Sequence, residues 1–278
     1  MAAISLWRIT PTVNLKLDTG ASTVDEVTRE LPEGYYSTFR TFAEGTRVLG
    51  LSAHLRRLYD PVTAPEVVES TLRQHLRALL ESYRPHEARV RAVMTRQGQA
   101  YLAMAPLVPL PPEIYEKGVR VETTKLQREH PRLKSTSFID RSDLARKHIA
   151  QEGIFEALLV KDGKILEGMT SNFFYVVRQD GRSVPPYVGT ARDDILLGVT
   201  RQTVIEIAVG QSLEVSDTPL ALDQIVAIDE AFITSSSRGI VPVVQIDNVT
   251  IGQGSPGLVT KQLIAAYEGY VLQNAEEI

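Results

Sequence analysis

Apolar and polar positions alternate along much of the chain with the period of two that predicts β-strands. Aromatic and β-branched residues fill YYSTFRTF (35–42), which predicts a strand, and ARVRAVMTR and AYLAMAPL flank a turn at Gln97-Gly98-Gln99, which predicts a hairpin. EALLV and KILEG stand on either side of Asp162-Gly163, a dipeptide typical of tight hairpin turns. DEAFITSSS and GIVPVVQID predict two further strands, the first of which ends in a polar loop.

Other segments place apolar residues at helical spacing and carry helix start signals. A helix is predicted to begin at Thr63-x-x-Glu66, where Pro65 suits the first turn. Its apolar positions follow at helical spacing: Val68, Leu72, Leu76, Leu79 and Leu80. Thr23-x-x-Glu26 is a capping box for a shorter helix. GVTRQTVIEIA and PGLVTKQLIAAYEGYVLQ predict two later helices.

Strands outnumber helices, and hairpins join many of them. This pattern predicts an α+β (mixed α/β) fold with antiparallel or mixed sheets, not a doubly wound parallel sheet. Four prolines within residues 106–112 can continue neither a helix nor a central strand. We therefore predict a smaller N-terminal α/β domain over residues 1–107, a proline-rich linker over 108–117, and a larger domain over 118–278.

Composition narrows the classes of function. The 278 residues are 43% hydrophobic and 23% charged, which is typical of a soluble globular protein. The absence of cysteine excludes disulfides, thiolate metal sites and a cysteine nucleophile, and it fits a cytoplasmic protein. The net charge of -4 predicts no general attraction to nucleic acid or to an anionic membrane. The five histidines are scattered without metal-ligand spacing, so no metal site is expected.

Two polar segments are candidate anion sites. Gly198, Val199 and Thr200 stand where a loop becomes a helix, and the first N–H groups of a helix favour an anion. An ordinary threonine N-cap is the alternative, and for this segment alone it is the better explanation. The run TSSSRG, which includes Ser235 and Ser236, offers several N–H and O–H donors to a phosphate. A polar turn between strands is the alternative there, again favoured for the run taken alone.

Three charged residues are candidates for chemistry. Arg57 lies beside the apolar face of a predicted helix, where arginine pairs with a carboxylate or holds a phosphate, unless it is simply exposed. Lys134 could act as a nucleophile, although nothing local separates it from other solvated lysines. Glu167 interrupts the apolar pattern of KILEGMTSNFFYVV. It is either an exposed hairpin residue or a carboxylate that pairs with a cation such as a protonated pyridine.

The order of these motifs resembles a known family. Lys134 is followed about thirty residues later by EGMTSNFF, then by ILLGVTRQTVIEIA, then by EAFITSSSRGIVPVVQID. Nearly the whole chain in this way resembles the fold-type-IV enzymes that depend on pyridoxal phosphate, the class IV aminotransferase family. That family includes branched-chain and D-amino-acid aminotransferases, R-selective amine transaminases and aminodeoxychorismate lyases.

The resemblance implies a role for each candidate. Lys134 would link covalently to the cofactor aldehyde and move the proton between the substrate Cα and the cofactor. Glu167 would bond the pyridine nitrogen and keep it protonated, so that the ring withdraws electrons. The implied cofactor-binding residues are Arg57, Lys134, Glu167, Asn172, Val199, Thr200, Ser235 and Ser236. The resemblance also implies two domains with the cofactor between them, and a homodimer.

The expected reaction moves an amino group from a branched-chain-like or D-amino acid to a 2-oxo acid. Elimination of pyruvate from 4-amino-4-deoxychorismate is the alternative within the family. The chain has Ser-Thr-Ser-Phe-Ile after Lys134, where branched-chain enzymes carry a G-G-N-Y-type run and the lyases often carry N-R-L. Tyr36, Arg40 and Arg91 are candidates for substrate binding, with solvated or paired arginines as the alternative.

Overall fold

The computed structural model describes residues 4–178 and 186–278. The chain divides into two compact units. The N-terminal unit contains the described residues up to Val108 together with Leu133–Arg141 and Val271–Ile278. The second unit contains Pro109–Arg132 and the described part of Ser142–Tyr270. Two segments of the predicted larger domain thus group with the N-terminal unit, and a single boundary at residues 108–117 stays a prediction.

The elements alternate between strands and short helices along the chain. In order to the end of the first long hairpin they are β1 (Ser5–Ile9), β2 (Asn14–Leu17), α1 (Val24–Glu30), β3 (Gly34–Phe42), β4 (Arg47–Val48), α2 (Leu51–Tyr59), α3 (Glu69–Leu80), β5 (Ala88–Thr95) and β6 (Ala100–Pro106). The middle of the chain forms α4 (Pro112–Lys117), β7 (Val119–Thr124), α5 (Ser137–Arg141), α6 (Asp143–Gln151), β8 (Glu156–Lys161), β9 (Lys164–Gly168) and β10 (Asn172–Val177). The remainder forms β11 (Tyr187–Thr190), α7 (Val199–Gly210), β12 (Glu214–Ser216), β13 (Leu220–Ala221), β14 (Glu230–Ser235), β15 (Gly239–Ile246), β16 (Val249–Thr250), α8 (Leu258–Asn274) and β17 (Glu276–Glu277).

The N-terminal unit is built on an antiparallel sheet in the order β17-β4-β3-β5-β6-β1-β2. Helices α2 and α3 bury their apolar faces in the core that covers this sheet. Leu55 and Leu58 of α2 have no exposed surface, which confirms the apolar face predicted for that segment. The β5–β6 hairpin turns at Gly98, whose φ of 92° is one that glycine adopts without strain.

The second unit is built on a ten-stranded mixed sheet. Its main path runs β12-β11-β10-β14-β15-β7-β8-β9-β13, and β9 also pairs with β10. That extra pairing closes β10, β14, β15, β7, β8 and β9 into a ring. The two sheets confirm the predicted α+β fold, and the antiparallel pairs outnumber the parallel ones. Among the residues that the structure describes, no helix combines the length and the apolar character needed to cross a membrane.

Local signals account for most of the element boundaries. The predicted capping box is confirmed, because Thr23 accepts from the Glu26 N–H at 3.1 Å and Glu26 accepts from the Thr23 N–H at 3.2 Å. The tight turn between β8 and β9 is confirmed too. Asp162 and Gly163 both have positive φ, 50° and 71°, as a two-residue hairpin turn requires.

Two predictions of local structure are wrong. The helix expected from Thr63 begins at Glu69, because the Glu66 N–H donates to the Gly98 carbonyl at 2.8 Å and holds that segment against the β5–β6 turn. The proline-rich linker contains helix α4, whose first residue is Pro112. Proline is tolerated there because the first N–H of a helix has no partner within the helix.

Candidate active site

A row of polar residues crosses the sheet of the second unit. Glu167 of β9 lies opposite Asn172 of β10, which lies opposite Thr234 of β14. Residues directly opposite one another in an antiparallel pair point to the same face. All three are at most 4% exposed, and Thr234 Oγ1 has no hydrogen-bond partner among the described residues. Glu167 is therefore the buried carboxylate of a polar row, not an exposed hairpin residue.

Three donors hold the Glu167 carboxylate. Arg128 Nε donates to Oε1 at 2.8 Å, and the two side chains are 4% and 2% exposed. The Leu196 N–H and the Asn172 side-chain amide donate to Oε2 at 3.1 and 3.4 Å. Arg128 supplies the counter-charge that a buried carboxylate needs. Sequence reasoning missed it, because it lies in a loop without periodic pattern, 39 positions before Glu167.

The small residues after Glu167 form a tight turn over a second buried carboxylate. The Gly168 N–H donates to the Ser171 carbonyl at 2.8 Å. A Cβ on Gly168 would lie 2.2 Å from Ser171 Oγ and 3.0 Å from Glu156 Cγ, so only glycine fits. Thr170 and Ser171 both donate side-chain hydrogen bonds to Glu156. The small polar residues are thus needed to close this turn.

The N-terminus of α7 lies against the polar row. A Cβ on Gly198, the N-cap residue, would be 2.2 Å from Asn172 Oδ1. Thr200 in the first turn is 2% exposed, and its hydroxyl donates to Ser236 Oγ at 3.5 Å. Because the first N–H groups of a helix have no partners within it, they are available to an anion. The structure therefore brings Asn172, the start of α7 and the hydroxylic loop after β14 together.

In the N-terminal unit, Lys134 is placed by the edge of β3. The Tyr36 N–H donates to the Lys134 carbonyl at 2.9 Å, and the Thr136 N–H donates to the Gly34 carbonyl at 2.9 Å. These bonds hold the backbone of residues 134–136 alongside the strand. Lys134 Nζ lies 4.9 Å from the centroid of the Tyr36 ring.

A buried histidine shares this neighbourhood. His54 of α2 is 1% exposed, and its Nδ1 lies 2.7 Å from Ser37 Oγ. Its Nε2 has no hydrogen-bond partner among the described residues. Burial above all, and then the charges of Arg57 and Lys134, hold the pKa of His54 well below its usual range. Sequence reasoning missed His54, because five scattered histidines carry no local pattern.

The pKa of His54 predicts how stability depends on pH. Because buried His54 stays neutral while the unfolded chain takes up a proton below the ordinary pKa of 6.5, the free energy of unfolding falls as pH drops below that value. The expected slope is up to about 1.4 kcal/mol per pH unit. Urea unfolding at pH 5 to 8 should show this slope reduced in His54→Gln. Exposed His86 offers the control His86→Gln, and equal slopes in parent and His54→Gln would contradict the prediction.

Arg91, a candidate for substrate binding, is engaged inside the N-terminal unit. It is 5% exposed and pairs with Asp25. It also donates to Thr38 Oγ1 at 2.9 Å and to Thr28 Oγ1 at 3.2 Å, and it stacks 4.6 Å from the Tyr36 ring. These contacts favour a structural role for Arg91.

Arg40, the other arginine candidate, is half-buried at the far end of β3. Its Nε donates to the Thr41 carbonyl at 3.2 Å, and its guanidinium lies 4.6 Å from the Phe42 ring centroid. Tyr36 is 3% exposed beneath Lys134. Binding of substrate by Tyr36, Arg40 or Arg91 stays a prediction.

Comparison with known proteins identifies the family. The profile of the family described as "Amino-transferase class IV" matches residues 34–246. The chain belongs to the class IV aminotransferases. It is 32% identical over 237 residues to a Methanocaldococcus jannaschii protein assigned to the branched-chain-amino-acid aminotransferases, a match that spans 78% of this chain and 80% of that one. It is 36% identical over 127 residues to the D-alanine aminotransferase of Bacillus licheniformis, over 45% of this chain and 43% of that one.

The fold of this class IV aminotransferase agrees with that assignment. A branched-chain amino acid aminotransferase from T.th., solved in complex with N-(5′-phosphopyridoxyl)-L-glutamate, superimposes with a TM-score of 0.78 at 22% identity, over 97% of this chain and 94% of that one. The resemblance to fold-type-IV, pyridoxal-phosphate-dependent enzymes is confirmed. The protein is a pyridoxal-phosphate-dependent transaminase, and its relatives favour amino transfer over the lyase alternative.

Proposed function

We propose that this protein transfers the amino group of an aliphatic, branched-chain-like amino acid to a 2-oxo acid. The observation that carries the proposal is the buried Glu167–Asn172 pair beside the start of α7. It joins a carboxylate to an anion-binding helix end within one unit, and pyridoxal phosphate presents a basic ring nitrogen and a phosphate. The donor set therefore fits this cofactor.

The residues of the second unit would hold the cofactor. Glu167 would accept the hydrogen bond of the protonated pyridine nitrogen, while Arg128 and Asn172 keep its carboxylate in place. The first turn of α7, with Val199 and Thr200, would bind the phosphate.

Two further groups would complete phosphate binding. Ser236 would donate from the loop that already contacts Thr200, and Ser235 would act beside it. Arg57 would add a positive charge.

The cofactor, when bound, supplies a ring that withdraws electrons from the substrate Cα. Lys134 would attach it covalently, accept the proton that leaves the substrate Cα and return a proton during the second half of the cycle. The side chain is suited to this, because backbone bonds fix Lys134 while its Nζ crosses the Tyr36 ring. Desolvation by that ring would favour the neutral amine that proton removal requires.

The relatives support an aliphatic donor, and one of them supports a second candidate. Branched-chain aminotransferases recur among the relatives, whereas the stretch shared with the D-alanine aminotransferase favours a D-amino acid. After Lys134 the chain has Phe138 and Ile139, both buried, in place of the tyrosine of the branched-chain run. A pocket without that hydroxyl would depend on apolar contacts with the donor.

A substrate panel tests the proposal. L-leucine, L-isoleucine, L-valine and D-alanine are each offered with 2-oxoglutarate or pyruvate, and formation of the new amino acid is measured. We expect the L-aliphatic donors with 2-oxoglutarate to give the highest kcat/KM. Transfer from D-alanine alone would establish the second candidate. Release of pyruvate from aminodeoxychorismate without any amino transfer would overturn both.

The close approach of Gly198 to Asn172 gives a prediction about cofactor affinity. Gly198→Ala should weaken the binding of pyridoxal phosphate about tenfold or more, because a Cβ 2.2 Å from Asn172 Oδ1 forces that side chain or the start of α7 to move. Gly210→Ala, at the other end of the same helix, has no atom within 4 Å of the new Cβ and serves as the control. Equal dissociation constants for the two variants would contradict the assignment of this helix end.

Assembly and location complete the proposal. We expect a homodimer in the cytoplasm, as the family resemblance and the cysteine-free composition suggest. Analytical ultracentrifugation of the holoenzyme would reveal the dimer, and a species of one chain's mass at micromolar concentration would contradict it.

A further inference from the structure

A second buried ion pair joins the two segments to which the proposed function assigns opposite ends of the cofactor. Glu156 of β8 is 1% exposed and faces the turn between Glu167 and Asn172. It accepts from the Thr170 N–H at 3.2 Å, from the Thr170 hydroxyl at 2.5 Å and from the Ser171 hydroxyl at 3.1 Å. One carboxylate thus holds the turn on the pyridine side.

Arg238 connects that turn to the loop on the phosphate side. Its Nη2 donates to Thr170 Oγ1 at 2.5 Å and lies 3.5 Å from Glu156 Oε2. Its Nε donates to Ser235 Oγ at 3.1 Å, and its backbone N–H donates to the Ser235 carbonyl at 3.2 Å. A single guanidinium therefore bonds both segments.

The surroundings keep Arg238 in this position. The guanidinium lies 5.2 Å from the Phe155 ring centroid, and the Tyr115 hydroxyl donates to the Arg238 carbonyl at 2.9 Å. The side chain is 22% exposed, while its partner Glu156 is 2% exposed. Since a guanidinium donates in fixed directions, its several bonds set the spacing of the groups it joins.

We propose that the Glu156–Arg238 pair is a positioning pair that fixes the distance between the pyridine-binding turn and the phosphate-binding loop. Neither residue is assigned a contact with cofactor or substrate. The inference rests on the proposed function only in naming what the two segments bind. It implies that discrimination for the phosphate of the cofactor depends on a pair outside the cofactor contacts.

The test compares pyridoxal phosphate with pyridoxal, which lacks the phosphate. Dissociation constants for both are measured on the full-length chain for the parent, Arg238→Gln, Glu156→Gln and the double variant. We expect the preference for pyridoxal phosphate to fall about tenfold or more in Arg238→Gln and in Glu156→Gln, because the loop loses its link to the turn. The double variant should lose no more than the worse single one.

Arg178→Gln is the matched control, because Arg178 pairs with buried Glu230 at 3.3 Å outside the proposed site. It should keep the parental preference. An unchanged preference in Arg238→Gln, or an equal loss of affinity for both ligands together with a lower Tm, would overturn the inference. The second outcome would indicate general destabilisation.

Hydrogen exchange separates this inference from the proposed function. On the chain without cofactor, Arg238→Gln should lower amide protection in peptides covering residues 168–172 and 234–238 together, and Arg178→Gln should not. Unchanged protection in both peptides would overturn the positioning pair. A parent that binds neither ligand would overturn the proposed function, while the exchange result would still decide whether the pair joins the two segments.

Discussion

Lys134→Ala is expected to lower the rate of amino transfer by about a thousandfold or more, because it removes both the covalent attachment and the group that moves the Cα proton. Covalent attachment provides a second readout. After borohydride reduction the parent should retain the mass of the cofactor, and Lys134→Ala should not. The fold should persist, since the bond from the Tyr36 N–H to residue 134 uses the backbone carbonyl.

Lys147→Ala is the control for that variant. Lys147 is an exposed lysine paired with Asp143 on the same helix, so its loss should leave turnover at the parental level. Full turnover in Lys134→Ala, or cofactor mass retained on it after reduction, would show that another residue carries the attachment.

Arg128→Met is expected to destabilise the protein by about 3–5 kcal/mol, because it leaves the Glu167 carboxylate buried without its counter-charge. Urea unfolding followed by far-UV circular dichroism measures the loss. The double variant Arg128→Met/Glu167→Gln should recover much of the stability, since it removes the unpaired charge as well.

Arg132→Met tests whether burial is the cause. Arg132 pairs with Asp193 at 3.3 Å, but these side chains are 47% and 88% exposed. Its loss should change the free energy of unfolding by no more than about 0.5 kcal/mol. If Arg128→Met were as stable as Arg132→Met, the Arg128–Glu167 pair would not be the support of the polar row that its geometry indicates.

Much of the fold follows from short stretches of sequence. The helix start at Gly198-Val199-Thr200, the Asp162-Gly163 turn and the Thr23–Glu26 capping box are all found where their patterns predict them. Each depends on bonds between residues a few positions apart, so a local pattern contains the information. The Thr63 signal failed for the converse reason, because the bond from the Glu66 N–H to the distant Gly98 carbonyl prevails over the local preference.

The polar side chains that support the site could not be predicted in this way. The partners of Glu167 include Arg128 and the Leu196 N–H, and Glu156 meets Arg238 from a distant part of the chain. With 30 lysines and arginines in the chain, no local pattern selects which cation meets which buried carboxylate.

The sequence by itself determined the α+β class, the order of the motifs and the family, since side-chain period, capping and turn chemistry act within a few residues. Only the tertiary structure decided that Glu167 is buried and paired with Arg128, and that residues 133–141 join the N-terminal unit. It also decided that the small residues after Glu167 close a turn over Glu156. The physical reason is that burying a charge is favourable only where segments distant in the chain supply its partners, and those segments meet only in the folded protein.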